Sequence, residues 1–151
     1  MRKFPKLFLK EFPEFKIFKK NNTPAKIQDF INSIPINFEI GRETYYRPLH
    51  VLKHNKAHCM EGALLAAAIL WFHGYEPLIM HFRTSNDDPT DHIIAIFKQD
   101  GLWGAISKTN HNVLRYRDPI YKNIRELAMS YFNEYFTNKR KKSLREYSRS
   151  F

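Results

Sequence analysis

A chain of 151 residues, 43% of them hydrophobic, is long enough to bury one good core and short for two ordinary domains. Its longest apolar stretch, Gly62 to Phe72, falls well under the roughly 20 residues that cross a bilayer, no apolar leader follows Met1, and a single cysteine excludes an internal disulfide. A cytoplasmic protein with no transmembrane segment is the expectation, and Cys59 is a free thiol to be explained.

The net charge of +10 sits at the ends. Residues 1 to 20 hold seven Lys/Arg against two Glu, residues 137 to 151 hold six against one, and the stretch between is neutral. This divides the chain into an aromatic, basic N-terminal arm (1–22), a domain (23–136) and a basic C-terminal tail (137–151). Ends of this kind meet an acidic partner, a nucleic acid or an anionic surface, or simply form solvated faces.

In the arm, Phe4 to Phe18 repeats aromatics at irregular spacing, and Pro5 and Pro13 break any long helix, so the segment is expected to pack over the core surface. Thr23-Pro24 reads as an N-cap with proline at the first helical position. Ile27, Phe30, Ile31 and Ile34 follow at helical spacing until Pro35 stops the run. Ile36 to Lys56 shows no clean periodicity and reads as an ordered loop. Cys59 to Phe72 is apolar on nearly every face after Glu61, carries four alanines and is followed by Gly74 at a C-cap position, which predicts a central buried helix.

Pro77–Phe82, His92–Phe97 and Leu102–Ile106 read as three antiparallel strands packed on that helix, the last two joined by a turn at Gln99-Asp100-Gly101. The polar loop Arg83–Thr90 carries a turn at Asp87-Asp88-Pro89 and is expected to be the mobile segment near the site. Beyond Pro119, the series Ile120, Ile124, Leu127, Ala128, Tyr131, Phe132, Tyr135 and Phe136 predicts a closing amphipathic helix. From Lys139 onward the apolar pattern is too thin to specify structure. The predicted class is α+β, a central buried helix on a small antiparallel sheet.

Cys59 opens the buried helix. Free N–H groups and a partial positive charge in the first helical turn favour thiolate over thiol and can receive an oxyanion. A lone cysteine is more often a small buried hydrophobe, so it needs a base. His92 begins a strand that Ile93 to Phe97 could make unaided; it is either a surface histidine beside Asp91 or the imidazole that pairs with sulfur for acid–base work.

His50, His54 and His58 lie four apart with Cys59 following, as ligands on one helix face do, yet the segment lacks an apolar stripe and a second ligand cluster, so neither metal nor cofactor is expected. Arg115 to Tyr121 interleaves basic and aromatic residues as a nucleic-acid surface does, and a loop packed by tyrosines explains it as well.

Several features occur in a suggestive order: Cys59 at the head of an alanine-rich helix, His73-Gly74-Tyr75-Glu76-Pro77 after it, Asp91-His92 opening a strand, and Leu102-Trp103-Gly104-Ala105-Ile106-Ser107. From Thr23 to Ser107 this order resembles the transglutaminase-like superfamily, a Cys-His cysteine-protease-type core. The resemblance implies acyl transfer or amide hydrolysis through a Cys59 thioester. In it Cys59 is the nucleophile, its N–H half of an oxyanion hole, His92 the acid and base, and an amide- or ester-bearing small molecule or protein the substrate. The family places an aspartate four residues after its tryptophan, where this chain has Ser107. A serine hydroxyl can orient an imidazole without supplying a full negative charge. Asn110 and Asp118 are the alternative third residues.

Cys59-Met60-Glu61 is also similar to the Cys-x-Glu of arylamine N-acetyltransferases, but the glycines preceding that cysteine are absent. The competing expectation is a catalytically silent domain of the same kind that binds a protein or nucleic acid through its basic ends.

Overall fold

The computed structural model describes residues 4–5, 7–86, 91–137 and 139–151. The expected Asp87-Asp88-Pro89 turn lies outside them. Among the described residues no helix is long and apolar enough to cross a membrane.

The fold is α+β. Thr23 caps α2 (Pro24–Ser33; α1 is Phe8–Glu11 in the arm) by accepting the Lys26 N–H, and Pro24 occupies its first turn. The central helix α4 runs Cys59–Phe72, with α3 (Pro48–His54) before it. Gly74, at φ +93°, makes the left-handed turn that ends α4 and feeds β1 (Leu78–Thr84). β2 (His92–Gln99), β3 (Leu102–Ile106), β4 (Arg117–Tyr121) and β5 (Leu144–Tyr147) complete one antiparallel sheet in the order β4-β3-β2-β1-β5, and α5 (Ile124–Phe132) separates the last two strands in sequence.

The sheet has a core on each face. Ala95, Phe97 and Ile106 pack with α4, α2 and the arm; Ile94, Ile96, Ala105, Met80 and Phe82 pack with Leu127, Ala128 and Tyr131 of α5. Burial on both faces explains why β2 reads as an unbroken apolar run instead of an alternating one. It also accounts for α4, which is wrapped by the arm, α2 and α3 as well as by the sheet and so is apolar all round.

Four expectations are corrected. Among the described residues the sheet has five strands, not three, because β4 and β5 are edge strands with little apolar patterning: β4 alternates partly buried with exposed residues, and only Leu144 of β5 is buried. The loop before Cys59 contains α3, whose seven residues bury Val51 and start at Pro48. The closing helix ends at Phe132; Ile120 belongs to β4, Tyr135 is buried beyond the helix, and Phe136 is exposed. The arm enters the core instead of lying over it, since Phe15 and Phe18 are buried and the Phe4 ring lies 5.1 Å from Trp71 and 5.5 Å from Phe72.

In the stretch 137–151, Phe82, Arg83 and Thr84 pair with β5, and Phe151 exchanges backbone hydrogen bonds with Ile79. Arg117, within the basic and aromatic segment, turns inward: its guanidinium lies 4.1 Å from the Tyr131 ring and donates to the Ser130 hydroxyl at 2.9 Å.

Candidate active site

Cys59 is the first residue of α4, half-buried, behind the N-cap His58. His92 is the first residue of β2, and Ser107 directly follows β3. Because β2 and β3 are antiparallel neighbours, with Ala95 opposite Ile106, the start of one strand and the end of the other meet at the same end of the sheet. The N-terminus of α4 reaches that end too.

His92 is 6% exposed and Ser107 is fully buried, and His92 Nε2 lies 2.6 Å from Ser107 Oγ. The side chains of His58 and His92 and the Ile93 N–H lie close enough to the Cys59 thiol to favour its ionised form. Burial pushes that thiol up, but these neighbours and the His92 charge outweigh it and hold it at about 5. Cys59, His92 and Ser107 are therefore brought together. Asn110 is exposed in the following loop and Asp118 is exposed on β4, whereas the imidazole hydrogen bond goes to Ser107.

Ser107 is held from α2. Gln28, 4% exposed, accepts the Ser107 N–H at 2.9 Å and donates to the Ser107 carbonyl at 2.9 Å, so one amide clamps both backbone groups. Lys108 reinforces the clamp. Its Nζ donates to the carbonyls of Ile31, at 3.0 Å, and Ile34, closing the end of α2, and burial first, then the Arg115 charge, lowers its pKa to about 8. The Lys108 stem lies against Gly62, where an added Cβ would come within 2.4 Å of Lys108 Cβ. That glycine allows the Ser107 segment to seat against the first turns of α4.

On the other side of Cys59, α4 opens with a capping box made from unusual residues. His58 Nδ1 accepts the Met60 N–H at 3.3 Å, and Glu61 accepts the His58 N–H at 3.0 Å. Glu61 has no exposed surface and also accepts from Asn37 Nδ2 (3.1 Å), Thr44 Oγ1 (2.7 Å) and the Tyr46 N–H (2.8 Å). Burial alone would raise this carboxyl; the four donors outweigh it and hold the pKa below the ordinary range. His58 Nε2 faces acceptors only: the Thr44 carbonyl at 3.0 Å, Glu61 Oε1 at 3.4 Å and Glu39 Oε1 at 3.6 Å. Its pKa is raised to about 9, first by the hydrogen bond to Cys59 and then, against burial, by the Thr44 carbonyl and the two carboxylates.

Sequence reasoning missed the roles of His58, Glu61 and Gln28. Two signals were there to be used: a polar residue, Gln28, on the apolar face shared by Ile27 and Ile31, and the i, i+3 spacing of His58 and Glu61 at a helix start.

His50 and His54 sit on α3, where the His54 ring stacks on Tyr46 at 4.9 Å, while His58 is turned to its cap. Among the described residues no group of three His, Cys, Asp or Glu is arranged to hold a metal ion. Two surface hollows lie elsewhere, one along His73–Glu76 with Leu78, Phe97 and Lys98, the other around His81, Asp91 and Glu146; neither is lined by Cys59 or His92. The chemistry of the side chains, not hollow size, singles out the α4 N-terminus. Neither known family models nor curated protein sequences give a match to this chain.

Proposed function

We propose that this protein carries out cysteine-dependent acyl transfer or amide hydrolysis, in the manner of the transglutaminase-like superfamily that its residue order resembles. The supporting observation is a Cys59 thiol at a helix N-terminus, its ionised form favoured by a neighbouring histidine whose Nε2 is fixed by Ser107 at 2.6 Å. A nucleophile, a base and an orienter in sequence are what covalent acyl chemistry needs.

The Cys59 thiolate attacks the carbonyl carbon of an amide or ester, forming the C–S bond as the carbonyl electron pair moves onto oxygen. First-turn N–H groups of α4, that of Cys59 among them, face the developing oxyanion. Collapse breaks the C–N or C–O bond, and the His92 imidazolium gives its proton to the leaving atom. Water or an amine then adds to the thioester, His92 takes the proton of the incoming group, and cleavage of the C–S bond restores the thiolate.

The test is the rate of iodoacetamide labelling of Cys59 against pH, with mass detection of an acyl adduct formed from p-nitrophenyl acetate. The parent is expected to label with a pKa well below the ordinary thiol value of about 8.5 and to form the adduct, and His92→Ala is expected to raise the labelling pKa. An ordinary thiol, indifferent to His92 and forming no adduct, would sink the proposal and leave a binding domain.

A further inference from the structure

We infer that His58 is a fixed imidazolium of the site, a second cation against the Cys59 thiolate, held charged by Glu61 and Glu39 so that His92 is free to gain and lose the travelling proton. This rests on the acyl-transfer reading and adds to it an electrostatic residue that the family resemblance does not supply.

The geometry fixes one half of the ring. Nε2 is surrounded by a carbonyl and two carboxylate oxygens, so it must carry a proton. Only Nδ1 is then open to choice. If neutral, it accepts the Met60 N–H; if protonated, it donates to Cys59 Sγ. The Met60 contact, at 3.3 Å, is long for a hydrogen bond, so its loss is a small one.

Against that loss stand the charges facing the ring: Glu61 from α4 itself, Glu39 from the loop folded over it, and the Cys59 thiolate, whose other neighbour is His92. Glu61 is ionised firmly, since four donors point at its fully buried carboxylate. A carboxylate so held cannot relieve its burial by taking a proton, and the His58 ring lies against it, Nε2 at 3.4 Å.

The arrangement compensates for Ser107. In a triad with an aspartate, the carboxylate stabilises the histidine and the histidine stabilises the nucleophile. Here the negative charge reaches sulfur by the other side, through Glu61 and His58, while Ser107 orients His92 without charging it.

His58→Asn tests this because asparagine is a strong N-cap, so the helix start is preserved while the charge is lost. Iodoacetamide labelling of the full chain is expected to slow about tenfold in His58→Asn at about pH 4, below both thiol pKa values, and only slightly at pH 6.5, from a thiol pKa raised by about one unit. If His92→Ala raises the labelling pKa and His58→Asn leaves it alone, His58 is a cap only and the inference fails while the acyl-transfer reading stands. If the parent thiol is ordinary and indifferent to His92, both fail. Nitrogen-15 chemical shifts of His58 in the parent give a readout independent of any variant. Both ring nitrogens protonated at pH 7.5 is the expected result, and a single protonated nitrogen overturns the inference.

Discussion

Cys59 stands between two polar anchorages built on opposite principles. On the His92 side no carboxylate takes part: the imidazole meets a serine hydroxyl, and the serine backbone is held by the Gln28 amide. On the His58 side the links are charged, with a buried carboxylate gathering donors from Asn37, Thr44, Tyr46 and His58. Dipoles hold position and surrender little to pH; carboxylates hold charge and must stay ionised to do so. In the proposed mechanism, the division separates what positions His92 from what sets the charge around Cys59.

The sharpest way to break the contrast is Glu61→Gln. One of its oxygens becomes an NH2 group facing donors, and the expected loss is about 3 kcal/mol by urea denaturation. The pH dependence follows the sign of the shift. The folded carboxyl is held below its unfolded value, so the Glu61 contribution is fully present above the ordinary carboxylate range and disappears as pH falls through the folded value. The stability difference between parent and variant should therefore shrink as the medium is acidified. A constant gap from neutral to acid would show that Glu61 is not ionised in the folded protein.

Gln28→Ala acts on the His92 side. It orphans the buried N–H and carbonyl of Ser107, at a cost of about 2 kcal/mol. A purely structural loss stops there, whereas a positioning role also makes Cys59 labelling less sensitive to His92→Ala. Ser107→Ala is the mildest change. Removing one orienting hydroxyl is expected to slow acyl-adduct formation less than tenfold and leave the labelling pKa nearly in place, a result checked by repeating the adduct assay with this variant.

The local part of this architecture was legible. Thr23-Pro24 announced α2, the apolar run announced α4 from Cys59 to Phe72, and β3 was read at both its ends. These elements carry their own caps or their own hydrophobic pattern. The pair Cys59 and His92 was legible as well, since each is a chemically conspicuous residue at the start of an apolar element. What stayed hidden depends on partners far along the chain. Gln28 meets Ser107 across 79 positions, and Glu146 lies opposite Arg83 across 63, so neither α2 nor β5 advertises its contact locally. α3 escaped notice because a seven-residue helix that buries only Val51 has too few turns to show a period. The role of His58 appears only once the stretch from Asn37 to Tyr46 folds back over Glu61.

β4 and β5, the two strands that the pattern concealed, also bound the sheet. An edge strand rich in apolar residues would have been easy to read and dangerous to expose, because unpaired N–H and carbonyl groups recruit strands from other molecules. β4 instead places Pro119 between Asp118 and Ile120, and β5 presents Arg145 and Glu146. Proline removes a donor and charges repel a like neighbour, so both borders resist the addition of another strand. The features that made these strands hard to find are the ones that guard the sheet against fibrous self-association.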